Sequence, residues 1–227
     1  GRESALWHSH SAPGPSASFT DVWAPNASTP IPDPVPPTEC QGGPLGTGVP
    51  VTRSSVYVSS DRQTIAYTSA PDHDPQICVS TDGGTTFNPS ILAGIPDAAV
   101  DVPPTGIAFA NATTAVTFWG STTESGSAYI QRSTDGGHTW AAVTLPASVA
   151  SHGIALTYGF FAPDGQHGWI VGYDGDASQS LLLVTTDAGA TWTTEAVPGE
   201  HKLYSGFALD ATHVWLGGEA GTLLTHS

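Results

Sequence analysis

Ser80-Thr81-Asp82-Gly83-Gly84-Thr85-Thr86-Phe87, Ser133-Thr134-Asp135-Gly136-Gly137-His138-Thr139-Trp140 and Thr185-Thr186-Asp187-Ala188-Gly189-Ala190-Thr191-Trp192 are one phrase written three times. Their aspartates stand 53 and 52 residues apart. A period near fifty residues is the signature of a propeller or solenoid rather than of a catalytic motif. The phrase reads as turn chemistry. A short aspartate at the start of a turn accepts backbone N–H groups two residues on, and Gly84, Gly137 and Gly189 supply the positive φ of a tight hairpin. The aromatic that closes each phrase, Phe87, Trp140 or Trp192, opens the next strand and is expected to bury against a neighbouring sheet, removing well over ~100 Å² from water.

The intervening segments fit four-stranded sheets. Between the first and second phrases come Ile107 to Ala110, Ala115 to Trp119 and Ala128 to Ser133, with Trp140 to Val143 after the hairpin. All are short runs rich in β-branched and aromatic residues, punctuated by Gly, Ser, Asn and Thr. The next period repeats the order at 155–162, 168–173, 180–185 and 192–197, and an earlier one runs through 54–59, 64–69, 76–80 and 86–90. No segment sustains a 3.6-residue apolar period, so almost no helix is expected. Residues 204–209, 213–217 and 222–225 supply three strands of a last sheet, while Leu6 to Ser9 and Phe19 to Trp23 read as a degraded third strand and a fourth strand.

The phrase resembles the Asp-box, the Ser-x-Asp-x-Gly-x-Thr-Trp hairpin (BNR repeat) of β-propellers such as sialidases, xyloglucanases, sortilin-type receptors and photosystem assembly factors. The resemblance implies an all-β propeller of four-stranded antiparallel blades, with the hairpins remote from the ligand face. Ser80, Ser133 and Thr185 occupy the first position of the motif. The expected organisation is residues 1–50 as an N-terminal closing strand and Pro-rich wrapping segment, and residues 51–227 as blades. Pairing of an N-terminal strand with the last blade removes an exposed sheet edge. The count is about four blades, or a stretch of a larger ring.

Composition points outside the cell. The formal net charge of −15 arises mainly from a shortage of Lys and Arg, five in all, in a chain only 11% charged. Nucleic acid and anionic membrane need clustered basic residues and are poor partners. No stretch approaches the ~20 apolar residues of a membrane span. Methionine is absent, position 1 included, which reads as a processed or excised product. Cys40 and Cys78 are the only cysteines and are expected to form one disulfide, giving an extracellular or cell-surface setting. Six prolines between Pro30 and Pro44 predict an extended, polyproline-like tether. Asn26 and Asn111 head glycosylation sequons.

Catalytic constellations are few. There is no Gly-x-Ser-x-Gly, no phosphate-cradling loop and no His-Glu-x-x-His. Sialidases grip a sugar carboxylate with three arginines. Here Arg53, Arg62 and Arg132 fall at unrelated places in their blades, and Arg132, one residue before an Asp-box, is expected to point outward or into a blade interface and not toward the axis. Asp101, Asp164, Asp210 and Glu219 are the acids that turn chemistry explains least. Asp174, Asp176 and Ser178 have the alternating oxygen spacing of a calcium loop but lack the Gly and distant Glu of an EF-hand, so a hydrophilic loop is the simpler reading. Asp72-His73-Asp74 is shorter still, and His8 and His10 lack a third ligand for zinc.

Three function classes follow. A binding module leads, its loops presenting Trp119, His152, Tyr158 and Phe160 to a glycan or an extracellular protein. A structural component of an extracellular assembly is next. A polysaccharide hydrolase or lyase is last, since it requires paired carboxylates ~5–10 Å apart.

Overall fold

The computed structural model describes residues 7–9, 19–21, 40, 55–69, 75–92, 104–120, 128–150, 153–198 and 201–226. An N-terminal hairpin pairs β1 (Trp7–Ser9) with β2 (Phe19–Asp21). Blade one is β3 (Val56–Val58), β4 (Ile65–Ser69), β5 (Gln76–Ser80) and β6 (Asn88–Ile91), in that spatial order. Blade two runs β7 (Gly106–Phe109), β8 (Ala115–Trp119), β9 (Tyr129–Ser133) and β10 (Ala141–Ala142). Blade three runs β11 (Ile154–Phe161), β12 (Gly168–Asp174), β13 (Gln179–Thr185) and β14 (Thr193–Glu195). Blade four has three strands, β15 (Leu203–Ala208), β16 (Val214–Gly218) and β17 (Leu223–His226). All pairings are antiparallel, and the helical content among the described residues is one 3-10 turn at Glu219–Gly221.

Each blade is a meander whose first strand lies innermost, and β3, β7, β11 and β15 touch in succession. The blades stack face to face through apolar side chains, which is why their middle strands read as continuous hydrophobic runs rather than alternating ones. Between blades one and two, Ala66, Ile77 and Val79 meet Ile107, Phe109 and Trp119. Between two and three, Val116, Phe118 and Ile130 meet Ile154, Leu156 and Ile170. Between three and four, Trp169, Val171 and Leu182 meet Leu203, Val214 and Leu216.

Two hydroxyls stitch the inner strands together. Thr105 Oγ1–H lies within hydrogen-bond reach of its own blade's Phe118 carbonyl at 3.0 Å and of Leu156 in the next blade at 2.7 Å. One blade on, Thr157 Oγ1–H faces the Val171 carbonyl at 3.0 Å and the Leu203 carbonyl at 2.8 Å. Thr157 is the extra residue of a β-bulge in β11, and that bulge aims its side chain at the neighbouring blade.

Cys40 and Cys78 are joined, their Cα atoms 5.8 Å apart, as the sequence suggests. The Tyr67 hydroxyl donates to the Cys40 carbonyl at 2.6 Å, and burial raises its pKa to about 12. Cys40, Ile65, Cys78 and Phe87 form a small cluster on blade one, so the disulfide holds Cys40 against the first sheet. The rest of the Pro-rich stretch lies outside the described residues; β1 and β2 pair with each other in a two-stranded sheet, separate from the β15-β16-β17 sheet of blade four that the N-terminal strand was expected to join.

Candidate functional site

The repeated phrase forms the turn between the third and fourth strands of blades one to three. Its chemistry is divided between two side chains. The Ser80 hydroxyl donates to Asp82 Oδ1 at 2.8 Å and accepts the Gly84 amide at 2.8 Å. Asp82 reaches four residues on: Oδ1 accepts the Thr86 amide at 2.9 Å and Oδ2 the Thr86 hydroxyl at 2.6 Å. Asp135 with Thr139 and Asp187 with Thr191 repeat both bonds at the same distances. The expectation of an amide two residues on is thus corrected. The loop is longer than an Asx-turn, and the hydroxyl at the first position, not the carboxylate, satisfies the glycine amide. Gly84, Gly137 and Gly189 have φ of 90°, 92° and 80°, the left-handed values anticipated. A Cβ on Gly189 would lie 2.6 Å from Val116 of the preceding blade, so the glycine is also required for blade packing.

These bonds hold the carboxylates ionised. At Asp82 the Thr86 hydroxyl and amide and the Ser80 hydroxyl lower the pKa to about 2. At Asp135 partial desolvation pushes upward, but the bonds from Thr139, Ser133 and His138 outweigh it and the result is again about 2. The aromatics Phe87, Trp140 and Trp192 are buried in equivalent places, and the Trp140 and Trp192 indole N–H groups donate to the Gly137 and Gly189 carbonyls at 3.0 and 3.2 Å.

A second repeated turn, missed from sequence, joins the first two strands of every blade. Asp61, Asn111, Asp164 and Asp210 each accept backbone amides two or three residues on. This corrects the reading of Asp164 and Asp210 as acids without a turn role. Asp210 is held well below the usual carboxylate range by the Thr212 and His213 amides, and Asp164 is lowered because the His167 and Gln166 bonds outweigh its desolvation. In blades one to three the two turns dock: the Gly83, Gly136 and Ala188 amides donate to the Gln63, Thr113 and Gln166 carbonyls. The signal was present as Asp/Asn near a fifty-residue spacing, hidden because the neighbouring residues differ.

Turns of both kinds occupy one end of the blades. The opposite end carries the turns between second and third strands and the entries of the inner strands. There Lys202 Nζ sits 4.9 Å from the Tyr173 ring centroid, the Ser180 hydroxyl donates to the His201 carbonyl, and the Glu219 amide donates to the Lys202 carbonyl at 2.8 Å. Tyr158 is 41% exposed on β11 of the same blade as Tyr173. The Tyr158 ring lies 6.0 Å from that of Phe160, and both an open tyrosine ring and a lysine over a tyrosine face are suited to stacking and hydrogen bonding.

Of the candidate binding residues, Tyr158 is accessible. Trp119 is corrected: at 1% exposure, between blades one and two with its ring 5.5 Å from Tyr129, it offers no face to a ligand. Phe160 stacks on Trp169 at 5.4 Å and is pressed toward Gly206 of blade four, which places it in blade packing. His152 lies outside the described residues, as do Asp101, Arg53, Asp72, Asp74 and Asn26. Arg132 is at a blade interface, its Nε–H donating to the Ala188 carbonyl of the next hairpin at 2.8 Å. The calcium reading fares poorly in geometry. Asp174 Oδ1 accepts the Asp176 and Ala177 amides at 3.0 and 2.9 Å, while the Asp176 carboxylate lies against Gly153 and Ser178 sits at φ 54°. Among the described residues no three His, Cys, Asp or Glu side chains converge as metal ligands, and no helix is long and apolar enough to cross a membrane.

The stacked meanders with successive innermost strands recur in solved structures. YCF48 from Cyanidioschyzon merolae superposes with a TM-score of 0.51 over 76% of this chain and 49% of its own, at 15% identity. The fold is a β-propeller. A xyloglucanase of family GH74 from Xanthomonas campestris matches at TM-score 0.52 and 14% identity, over 74% of this chain and 27% of its own. The complex of KlAtg21 with the coiled-coil of AgAtg16 matches at 0.52 and 15% identity, over 77% and 52%. The chain therefore spans about half or less of these propellers. No family model matches it, and no curated protein matches it in sequence.

Proposed function

We propose that this chain is an Asp-box propeller module that binds a glycan or an extracellular protein segment at the end opposite its Ser/Thr-x-Asp hairpins, in a secreted or cell-surface setting. The observation that carries the proposal is the division of labour between the two ends. The carboxylates of the hairpin end accept hydrogen bonds within their own turns, whereas the other end carries the Tyr173–Lys202 pair, and Tyr158 on the inner strand of the same blade stays open. A net charge of −15 favours neutral or cationic partners over polyanions. A propeller among the structural neighbours is seen in complex with a coiled-coil, which supports a protein partner. The Cys40–Cys78 bond supports an oxidising compartment.

The hydrolase reading draws less support from the described acids. A general acid works with its pKa raised toward neutrality, yet Asp61, Asp82, Asp135, Asp164, Asp187 and Asp210 are all lowered by the hydrogen bonds they accept. Parallel glycan and peptide arrays test the proposal, followed by titration of the best ligand against Tyr158→Ala and Lys202→Ala. Binding weakened about tenfold or more by either substitution is expected, since one aromatic stacking contact is worth ~1 kcal/mol or more. Arrays without a hit, or a hit indifferent to both substitutions, overturn the assignment.

A further inference from the structure

We infer that Asn111 is the acceptor of an N-linked oligosaccharide, carried on the turn between the first two strands of blade two. The inference rests on the secreted or cell-surface setting proposed above. Asn111-Ala112-Thr113 is an Asn-x-Thr sequon with alanine at its centre. All three residues are exposed, although Thr114, which follows them, is buried.

The equivalent turns of the other blades show what the side chain at this position has to do. Asp164 Oδ1 accepts the Gln166 and His167 amides at 2.8 and 3.0 Å, and Asp210 Oδ1 accepts the Thr212 and His213 amides, both at 2.8 Å. Asp61 Oδ1 accepts the Gln63 amide at 3.0 Å. One oxygen is therefore enough for the turn. Asn111 supplies it: Oδ1 accepts the Thr113 and Thr114 amides at 3.0 and 2.9 Å and the Thr113 hydroxyl at 3.0 Å. Because a backbone N–H can only donate, these bonds fix which end of the side-chain amide is oxygen.

The remaining side-chain atom differs in chemistry between the blades. Asp164 Oδ2 and Asp210 Oδ2 face His167 Nδ1 and His213 Nδ1 at 2.6 and 2.9 Å. In blade two that atom is Asn111 Nδ2, the residue three places on is Thr114 rather than a histidine, and Nδ2 has no hydrogen bond among the described residues. The nitrogen that would carry a sugar is thus uncommitted on an exposed residue. Gly165 of blade three lies beside it at φ 66°, and a Cβ there would stand 3.8 Å from that of Asn111, so the glycine leaves this flank without a covering side chain.

The reaction is a group transfer from an oligosaccharide held on a polyprenyl diphosphate. Nδ2 loses one proton and bonds to C1 of the first sugar, while the bond from C1 to the diphosphate oxygen breaks and the lipid diphosphate leaves with its electron pair. The product keeps Oδ1 as an amide carbonyl, so the bonds that hold the turn survive. The turn belongs to the hairpin end, and a bulky hydrophilic glycan there leaves the Tyr173–Lys202 end free for a partner.

The test is peptide mapping by mass spectrometry of the whole chain from its source cells and their medium, before and after enzymatic cleavage of the Asn–sugar bond in heavy-oxygen water. The peptide containing Asn111 is expected to carry an oligosaccharide that the enzyme removes, leaving labelled aspartate in its place. Asn111→Asp reproduces the residue of the other three turns, so it should lose the sugar completely and melt with the deglycosylated parent. Thr113→Ala keeps the acceptor but should lose nearly all of the sugar, and Thr113→Ser, which restores the hydroxyl, should regain it. Bare Asn111 in a chain whose Cys40–Cys78 bond is intact overturns the inference and leaves the oxidising compartment standing; bare Asn111 with both thiols free overturns both. Sugar confined to Asn26, or retained by Asn111→Asp, overturns it as well.

Discussion

Replacing Trp192 by alanine tests whether the repeated aromatic is the wedge that locks one blade to the last. The side chain is 4% exposed within the cluster shared by blades two and three, its ring centroid 6.5 Å from Phe161 and its N–H on the Gly189 carbonyl. Truncating a buried Trp removes its transfer free energy and leaves a cavity, at a cost of ~3–5 kcal/mol. Around Trp192 the cavity has little scope to collapse, because Gly189 is already in contact range of Val116 and its left-handed φ fixes the hairpin. For a domain of this size each kcal/mol lowers the melting temperature by ~2–4 °C, so the expected shift is roughly 6–20 °C. Trp192→Phe supplies an internal control, since the first hairpin carries Phe87 at the same place, 2% exposed. It keeps most of the apolar contact and loses the indole bond, for a cost of ~1–2 kcal/mol. Urea and thermal denaturation followed by near-ultraviolet circular dichroism measure both. A melt of Trp192→Ala within about 2 °C of the parent, or Phe as damaging as Ala, would refute the wedge.

Acid should weaken the hairpins. Asp82 and Asp135 have folded pKa values of about 2 against an ordinary 3.8, so their contribution is fully present above pH 4 and is lost as pH falls toward 2; urea midpoints across that window should fall, and the fall should be shallower in the triple variant Asp82→Asn, Asp135→Asn, Asp187→Asn. Thr157→Val keeps shape but leaves the Val171 and Leu203 carbonyls without the hydroxyl, costing ~1–3 kcal/mol in urea titration; an unchanged midpoint would mean that the inner strands hold without the stitch. Reduction of Cys40–Cys78, or Cys78→Ser, should lower stability by ~4 kcal/mol in the chain-entropy account of a 38-residue separation; thiol labelling without reductant that modifies both cysteines would remove the bond itself. Gly165→Ala places a Cβ 2.6 Å from the Ala110 carbonyl at φ 66° and should lower the melting temperature, whereas Gly221→Ala, at φ 78° with open space around it, carries only the backbone strain.

The sequence by itself determined the blades. A strand is a local affair of alternation and β-branching, and a hairpin turn is a local affair of Asp, Gly and Thr at fixed offsets, so β4, β5, β8 and β12 fall where the residue pattern puts them. The disulfide was legible as well, from two cysteines and no competing motif. What only the tertiary structure decided is which side chains remain available. Trp119 and Tyr158 are both aromatic residues on strands, yet one is 1% and the other 41% exposed, a difference that no local residue pattern announces. The first-to-second-strand turns at Asp61, Asn111, Asp164 and Asp210 were obscured for a related reason: their equivalence rests on register against a partner strand, not on adjacent residues. Val56 and Ile107 are similar in kind and equivalent in register, and no local rule separates them. Ile107 is covered because blade one packs over it, and Val56 is exposed.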